Sequence, residues 1–225
     1  MDRENLNQQL LEAVKQGDTG RMWELVEQGA DINSASNKYG WTALWLSAYN
    51  GHLTPELLEA LVSMGADINA RDENGLTALW LSAYNGYLTP ELLQVFISNG
   101  ADINAQNEDC NTVLMIAADE DCVTPELARA FANEFIRLGM SLEEIHNQTA
   151  DINSAAVLVY VLLKKLETEP WIVVDFMKKH VGKKLQEWVD NGVEGADILV
   201  SRLAHQIRQK EFMSEGSGTQ NMDFF

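Results

Sequence analysis

The chain has 225 residues, with 16 Lys and Arg against 34 Asp and Glu, a net charge of −18. Its 46% apolar and 22% charged content is that of a folded domain, which excludes wholesale disorder. Such an acidic chain is repelled by phosphate backbones and anionic lipid, which excludes nucleic acid and membrane surfaces as partners.

In chain order, Leu6–Gln28 carries a helix-turn-helix pattern with a charged start. Gly-Ala-Asp-Ile-Asn then occurs at Gly29–Asn33, Gly65–Asn69 and Gly100–Asn104, at spacings of 36 and 35 residues. The block Thr42–Gly51 recurs residue for residue at Thr77–Gly86, and Leu53–Leu58 recurs at Leu88–Leu93. Two identical ten-residue blocks in register with a second shared motif make a tandem repeat. Within one repeat, Asp72-Glu73-Asn74-Gly75 is turn chemistry, with Gly75 expected at positive φ. Thr77 is placed to cap a short helix and Gly86 to end it. Thr89-Pro90-Glu91 starts a second helix with a hydroxyl cap, Pro at the first helical position and an acid in the first turn. Leu92, Leu93, Phe96 and Ile97 form its apolar stripe, and Asn99-Gly100 ends it. Such a hairpin cannot bury its apolar face alone and stacks on its neighbours.

These residues resemble the ankyrin repeat. Asp72–Leu79 matches the opening of that family's motif, Gly51-His52-Leu53 its middle and Gly65–Asn69 its end. The resemblance runs over about residues 6–139. It implies an all-α solenoid of helix-turn-helix repeats that binds other proteins. Ala43 and Ala78 replace the family proline, and Trp45 and Trp80 replace the family histidine. The polar clamp of that histidine is therefore lost, and aromatic packing is expected to substitute. Thr54-Pro55 and Thr89-Pro90 lengthen the repeats to 35 residues, against about 33 for the family.

The expected organisation is a repeat stack over 1–139. It divides into a capping repeat 1–36, two regular repeats 37–71 and 72–106, and a degenerate fourth repeat 107–139. In the fourth, Cys110 stands in the place of Gly40 and Gly75, and Met115 in that of Trp45 and Trp80. Gly139-Met140-Ser141-Leu142 takes the Gly-Ala-Asp-Ile position. Ala150-Asp151-Ile152-Asn153 falls ten residues too late to be a further copy and reads as a helix start capped by Asp151 or Asn153. Residues 140–213 are expected to be a helical extension, with helices over Ala155–Glu167, Pro170–His180, Lys183–Asn191 and Gly195–Phe212. Val157, Val159, Leu162 and Leu163 are suited to covering the last repeat, and a small separate helical module is the other reading. Residues 214–225, rich in Gly and Ser, are expected to be a flexible tail.

No apolar run approaches the roughly 18 residues that span a bilayer. The strongest, Ala155–Leu163, is ended by Lys164 and Lys165. The polar start, Met1–Asn5, does not resemble a signal peptide, and Cys110 and Cys122 make no disulfide framework, so a cytoplasmic location is expected. The four histidines, His52, His146, His180 and His205, have no metal-ligand spacing, and no phosphate-binding glycine loop is present. His52 occupies a structural turn position of the family, and Asp119-Glu120-Asp121 reads as a solvated helix end. No catalytic, cofactor or metal site is expected.

Charge is uneven. Between Lys38 and Arg129 there is one basic residue, Arg71, against thirteen acidic ones. In the resembled family the turn tips and first helices line a concave binding groove. The matching positions are Lys38, Tyr39, Trp41, Tyr49 and Asn50; Glu73, Asn74, Leu76, Tyr84 and Asn85; and Glu108, Asp109, Asn111, Asp119 and Glu120. Tyr49 and Tyr84 are expected to be exposed anchors, and Trp45 and Trp80 core. The groove is thus aromatic towards its N-terminal half and acidic towards its C-terminal half. The resemblance implies a non-catalytic module that binds a partner protein, and the acidic charge points to a basic surface on that partner; a monomer alone is expected. Strongly acidic proteins of this kind resemble bacterial immunity proteins that plug basic toxins. The alternatives are a translocated effector that captures a host protein and an enzyme housed in the C-terminal helices.

Overall fold

The computed structural model describes residues 2–34, 39–120, 122–149, 154–181 and 184–214. Among them are thirteen α-helices, one π-helical segment and no strand, an all-α solenoid as the repeat pattern implied. The chain divides into two compact units, Met1–Cys122 and Val123–Phe225.

The first unit holds α1 (Arg3–Gln16), α2 (Thr19–Glu27), α3 (Ala43–Tyr49), α4 (Pro55–Ser63), α5 (Ala78–Tyr84), α6 (Pro90–Ser98) and α7 (Val113–Asp119). Each starts on a side chain that accepts a first-turn amide: Asp2 and Asp18 for α1 and α2, then Thr42, Thr54, Thr77, Thr89 and Thr112. Helices of seven to nine residues are too short to persist alone, so stacking holds them. The first helices form one row, α1 on α3, α3 on α5 and α5 on α7. Small buried residues permit the close approach: Ala43, Ala48, Ala78, Ala83, Ala117 and Ala118. Ser47 and Ser82 are also buried there, and their hydroxyls donate back to the carbonyls of Ala43 and Ala78 at 2.9 Å. The second helices α4 and α6 lie side by side and carry the larger core residues Leu58, Leu61, Leu92, Leu93 and Phe96.

Successive repeats are tied by an asparagine ladder. The Asn33 side chain donates to the Gly65 carbonyl and accepts from the Asp67 N–H, both at 2.8 Å. Asn69 does the same one repeat on, to the Gly100 carbonyl at 2.9 Å and from the Asp102 N–H at 2.8 Å. Asn7 of α1 begins the series, accepting from the Asp31 N–H at 2.8 Å.

The turn tips form a second ladder. Asp72 accepts from the N–H groups of Asn74 and Leu76, and Asn107 from those of Asp109 and Asn111. Between tips, the Glu73 N–H donates to the Tyr39 carbonyl at 3.0 Å and the Glu108 N–H to the Asn74 carbonyl at 3.2 Å. Gly75 has φ +77°, as expected, and a Cβ there would lie 3.4 Å from the Asn107 Cα of the following turn. Cys110, in the equivalent place of the unit's last turn, takes φ 65° and is the one non-glycine residue at positive φ among those described.

The second unit holds α8 (Pro125–Arg137), α9 (Leu142–Gln148), α10 (Ala155–Thr168), α11 (Pro170–Phe176), α12 (Lys184–Asp190) and α13 (Ala196–Ser214). Its core gathers Phe131 and Phe135 of α8 with Val157, Leu158, Val161 and Leu162 of α10, and α10 packs on α8. Two sequence expectations change here. Ser141-Leu142, assigned to the Gly-Ala-Asp-Ile position, opens helix α9, which is not among the helices expected. A capping box does this: the Ser141 N–H donates to the Glu144 carboxylate at 2.8 Å, and the Glu144 N–H to the Ser141 hydroxyl at 3.2 Å. The helix expected over Pro170–His180 is α-helical only to Phe176 and then widens into a π-helical segment, Met177–Val181. Ser154 is the N-cap of α10, while Asp151, Asn153 and the tail beyond Ser214 lie outside the described residues.

Two thermal-unfolding measurements test these tips. Gly75→Val places a β-branched side chain at positive φ and lowers stability by about 1–3 kcal/mol. Cys110→Gly relieves the same conformation at the last tip and raises the midpoint. In urea unfolding, Asn69→Ala removes both rungs of one ladder step and destabilises by about 1–2 kcal/mol.

Candidate functional site

Helices α3 and α5 have the same sequence, Ala-Leu-Trp-Leu-Ser-Ala-Tyr. A spacing of four residues sets Trp45 with Tyr49, and Trp80 with Tyr84, on one helical face. Trp41, four residues before Trp45, joins them from the end of the turn. The indoles of Trp41 and Trp45 stack at 4.7 Å and 4°, Trp45 and Tyr49 at 5.2 Å, and Trp41 and Tyr49 at 6.2 Å. Tyr39 lies tilted against Trp41 at 5.7 Å. In the next repeat Trp80 and Tyr84 stack at 5.4 Å, but Leu76 stands where Trp41 stood. In the third, the same three positions hold Asn111, Met115 and Asp119. The face therefore runs from wholly aromatic to polar along the stack.

These side chains and the turn tips enclose an open groove of about 560 Å³. Of the residues expected there, Tyr39, Trp41, Tyr49, Glu73, Asn74, Leu76, Tyr84, Glu108 and Asp109 line it. Asn50, Asn85, Asn111, Asp119 and Glu120 do not. Asn50, Asn85 and Glu120 are helix C-caps, and Asp119 is the last residue of α7, so all four stand at the end of a helix remote from the tips. Asn85 also donates its amide to the Tyr49 carbonyl at 3.5 Å, an inter-repeat contact. Lys38 lies outside the described residues.

Tyr49 and Tyr84 are 54% and 48% exposed, whereas Trp45 and Trp80 are 4% and 8% exposed, so the tyrosines are the accessible rings. The tryptophans are core, as expected, but they also form the groove floor, which the sequence reading missed together with Asp72, Leu81 and Asn107. The four-residue spacing from tryptophan to tyrosine was the available signal. Both indole N–H groups are buried without a hydrogen-bond partner among the described residues. Replacing a histidine by tryptophan gains ring area and leaves a donor unsatisfied, at about 1–3 kcal/mol each.

Carboxylates rim the groove. Asp72 is held by its own turn, but Glu73, Glu108 and Asp109 are exposed and have no ion pair among the described residues. Arg71 does not line the groove and donates to the Gln106 carbonyl. His52 contributes to its turn through its backbone, donating to the Ser47 carbonyl at 3.0 Å, while its side chain is exposed.

The second unit has a cleft of about 360 Å³ lined by Arg129, Lys164 and Arg202, of which the two arginines are engaged internally. Arg129 donates to the Tyr160 hydroxyl at 3.0 Å and pairs with Glu194, and Arg202 pairs with Glu167 at 3.0 Å. Elsewhere in this unit, Lys179 beside Glu143 holds that carboxyl below the usual carboxylate range. Burial, then the nearby Lys184 and His180, push the His146 imidazole below its ordinary value. No group of three or more His, Cys, Asp or Glu among the described residues is arranged to hold a metal.

The buried donors give a test. Trp80→Ala lowers stability by about 3–5 kcal/mol. Trp80→Phe keeps a ring and removes the orphaned N–H, and its cost, read from urea midpoints, stays below about half of that.

Residues 10–107 match the family model described as ankyrin repeats (3 copies). Over 65 residues the chain is 37% identical to the 2-5A-dependent ribonuclease of Mus musculus, covering 29% of this chain and 9% of that protein. The match thus spans a small part of that protein's length.

Proposed function

The chain is an ankyrin-repeat protein over residues 10–107, and from that premise we propose that it acts as a non-catalytic module whose groove binds the basic surface of another protein. Ankyrin repeats mediate binding to other proteins; the chemistry of the partner is the further step. The observation that carries it is the combination of unpaired rim carboxylates and exposed tyrosine rings in one groove. Its described lining is dominated by aromatic rings and carboxylates, a composition suited to a cationic protein surface. The −18 net charge would steer a cationic partner from a distance.

In its sharper form the module neutralises a basic toxin made alongside it in the cytoplasm, as a monomer before binding. The repeat register would continue through residue 139, with residues 140–213 covering the final repeat; the packing of α10 on α8 supports this. A toxin gene adjacent to this one would support the neutralising role, and its absence would favour capture of a different basic protein.

The test uses the partner that co-purifies from native cells, identified by mass spectrometry. Tyr49→Ala combined with Tyr84→Ala retains the helical circular dichroism spectrum and loses affinity by at least about 2 kcal/mol. The association rate with the wild-type chain falls steeply from low to physiological salt. A partner whose binding ignores salt, or survives the double substitution, refutes the groove as its site.

A further inference from the structure

The repeats themselves indicate what shape the groove accepts. In the first regular repeat, a flat group, the Trp41 indole, lies parallel to Trp45 and stacks on Tyr49. One register later, Trp80 and Tyr84 repeat the lower rings with similar stacking, but the upper position holds Leu76. Leucine is smaller than indole and has no flat face. Leu76, Trp80 and Tyr84 all line the groove, and Tyr84 is 48% exposed.

Charge then selects among flat groups. Glu73, Glu108 and Asp109 line the same groove without a cationic partner among the described residues. A flat anion would be repelled, and a neutral ring would leave the carboxylates unengaged. A planar cation satisfies both, because guanidinium stacks on aromatic faces and presents forked donors that match carboxylates. Lysine meets the charge but not the shape.

Resting on the reading of the groove as a protein-binding site, we propose that its second repeat is an arginine slot. An arginine side chain of the partner lies against Tyr84 beside Leu76, where the repeat register would place an indole, with its donors directed to the rim carboxylates.

The probes are tri-arginine, tri-lysine and tri-citrulline peptides, titrated into the full chain and followed by the indole N–H and tyrosine ring resonances. Tri-arginine shifts the resonances of Trp80 and Tyr84 and binds at least about threefold more tightly than tri-lysine. Tri-citrulline, planar but uncharged, does not bind. Leu76→Trp installs the residue that the preceding repeat already accommodates, so the fold is retained and tri-arginine binding is lost. Glu108→Gln with Asp109→Asn weakens binding of both cationic peptides. Equal binding of lysine and arginine, shifts confined to residues outside the groove, or unaltered arginine binding by Leu76→Trp overturns the slot. This outcome is separable from failure of the broader reading. A native partner lost on Tyr49→Ala with Tyr84→Ala, combined with no arginine preference, leaves the groove a binding site and removes the slot. Arginine-selective peptide binding, with a native partner indifferent to the tyrosines, refutes both the groove as that partner's site and the partner's arginine in the slot.

Discussion

The asparagine ladder sets the geometry on which the first unit depends. Asn33 and Asn69 each satisfy a carbonyl and an amide of the next loop with one side chain, so each loop is fixed relative to its successor at two points. An amide side chain presents its donor and acceptor at a fixed separation, and sliding the loops by one residue would break both bonds together. The register that results aligns equivalent positions of successive repeats in columns. The groove is one such column. Its aromatic floor arises because α3 and α5 are the same helix written twice, and its graded composition arises because neighbouring positions are not.

Many of the acids behind the net charge also have a structural duty, and they keep their charge while performing it. Asp67 and Asp102 accept from the amides of Asn69 and Asn104 at 2.9 and 3.0 Å, and Asp72 from two amides of its own tip. The Glu56 backbone N–H and the Thr54 hydroxyl hold the Glu56 carboxyl below the usual range. These acids shape turns and helix starts. Glu73, Glu108 and Asp109 carry no such duty, and they are the ones at the groove. Structural and free acids thus share one composition but occupy different positions within each repeat.

Much of this was legible from residue types. A threonine before each short helix, proline at the first helical position and glycine at a tip have local physical causes, and the structure places the caps and Gly75 accordingly. Burial of Trp80 was expected from the resemblance and exposure of Tyr84 from its place near the end of the helix, before the turn glycine, and both hold. What escaped depended on longer-range or subtler cues. Helix α9 is announced only by Ser141 and Glu144, and the repeat pattern assigns Ser141 to the Gly-Ala-Asp-Ile position and not to a cap. Asn50, Asn85 and Glu120 looked equivalent to groove positions because they follow the tyrosine column, yet helix geometry puts them at the capping end. The division after Cys122 falls between α7 and α8, a boundary that no local pattern encodes.

The identity of α3 and α5 has a consequence for folding. Two interchangeable segments in one chain allow assembly out of step, with one helix seated in the other's place, a characteristic failure of repeat proteins. Neither helix can distinguish the two seats from within, since both present the same seven side chains. Discrimination falls to what flanks them. Trp41 stacks on its own helix through both Trp45 and Tyr49, while Leu76 brings no ring to the corresponding position. The large side chain at one mouth of the groove therefore also labels its helix, marking which of two identical copies belongs first in the stack.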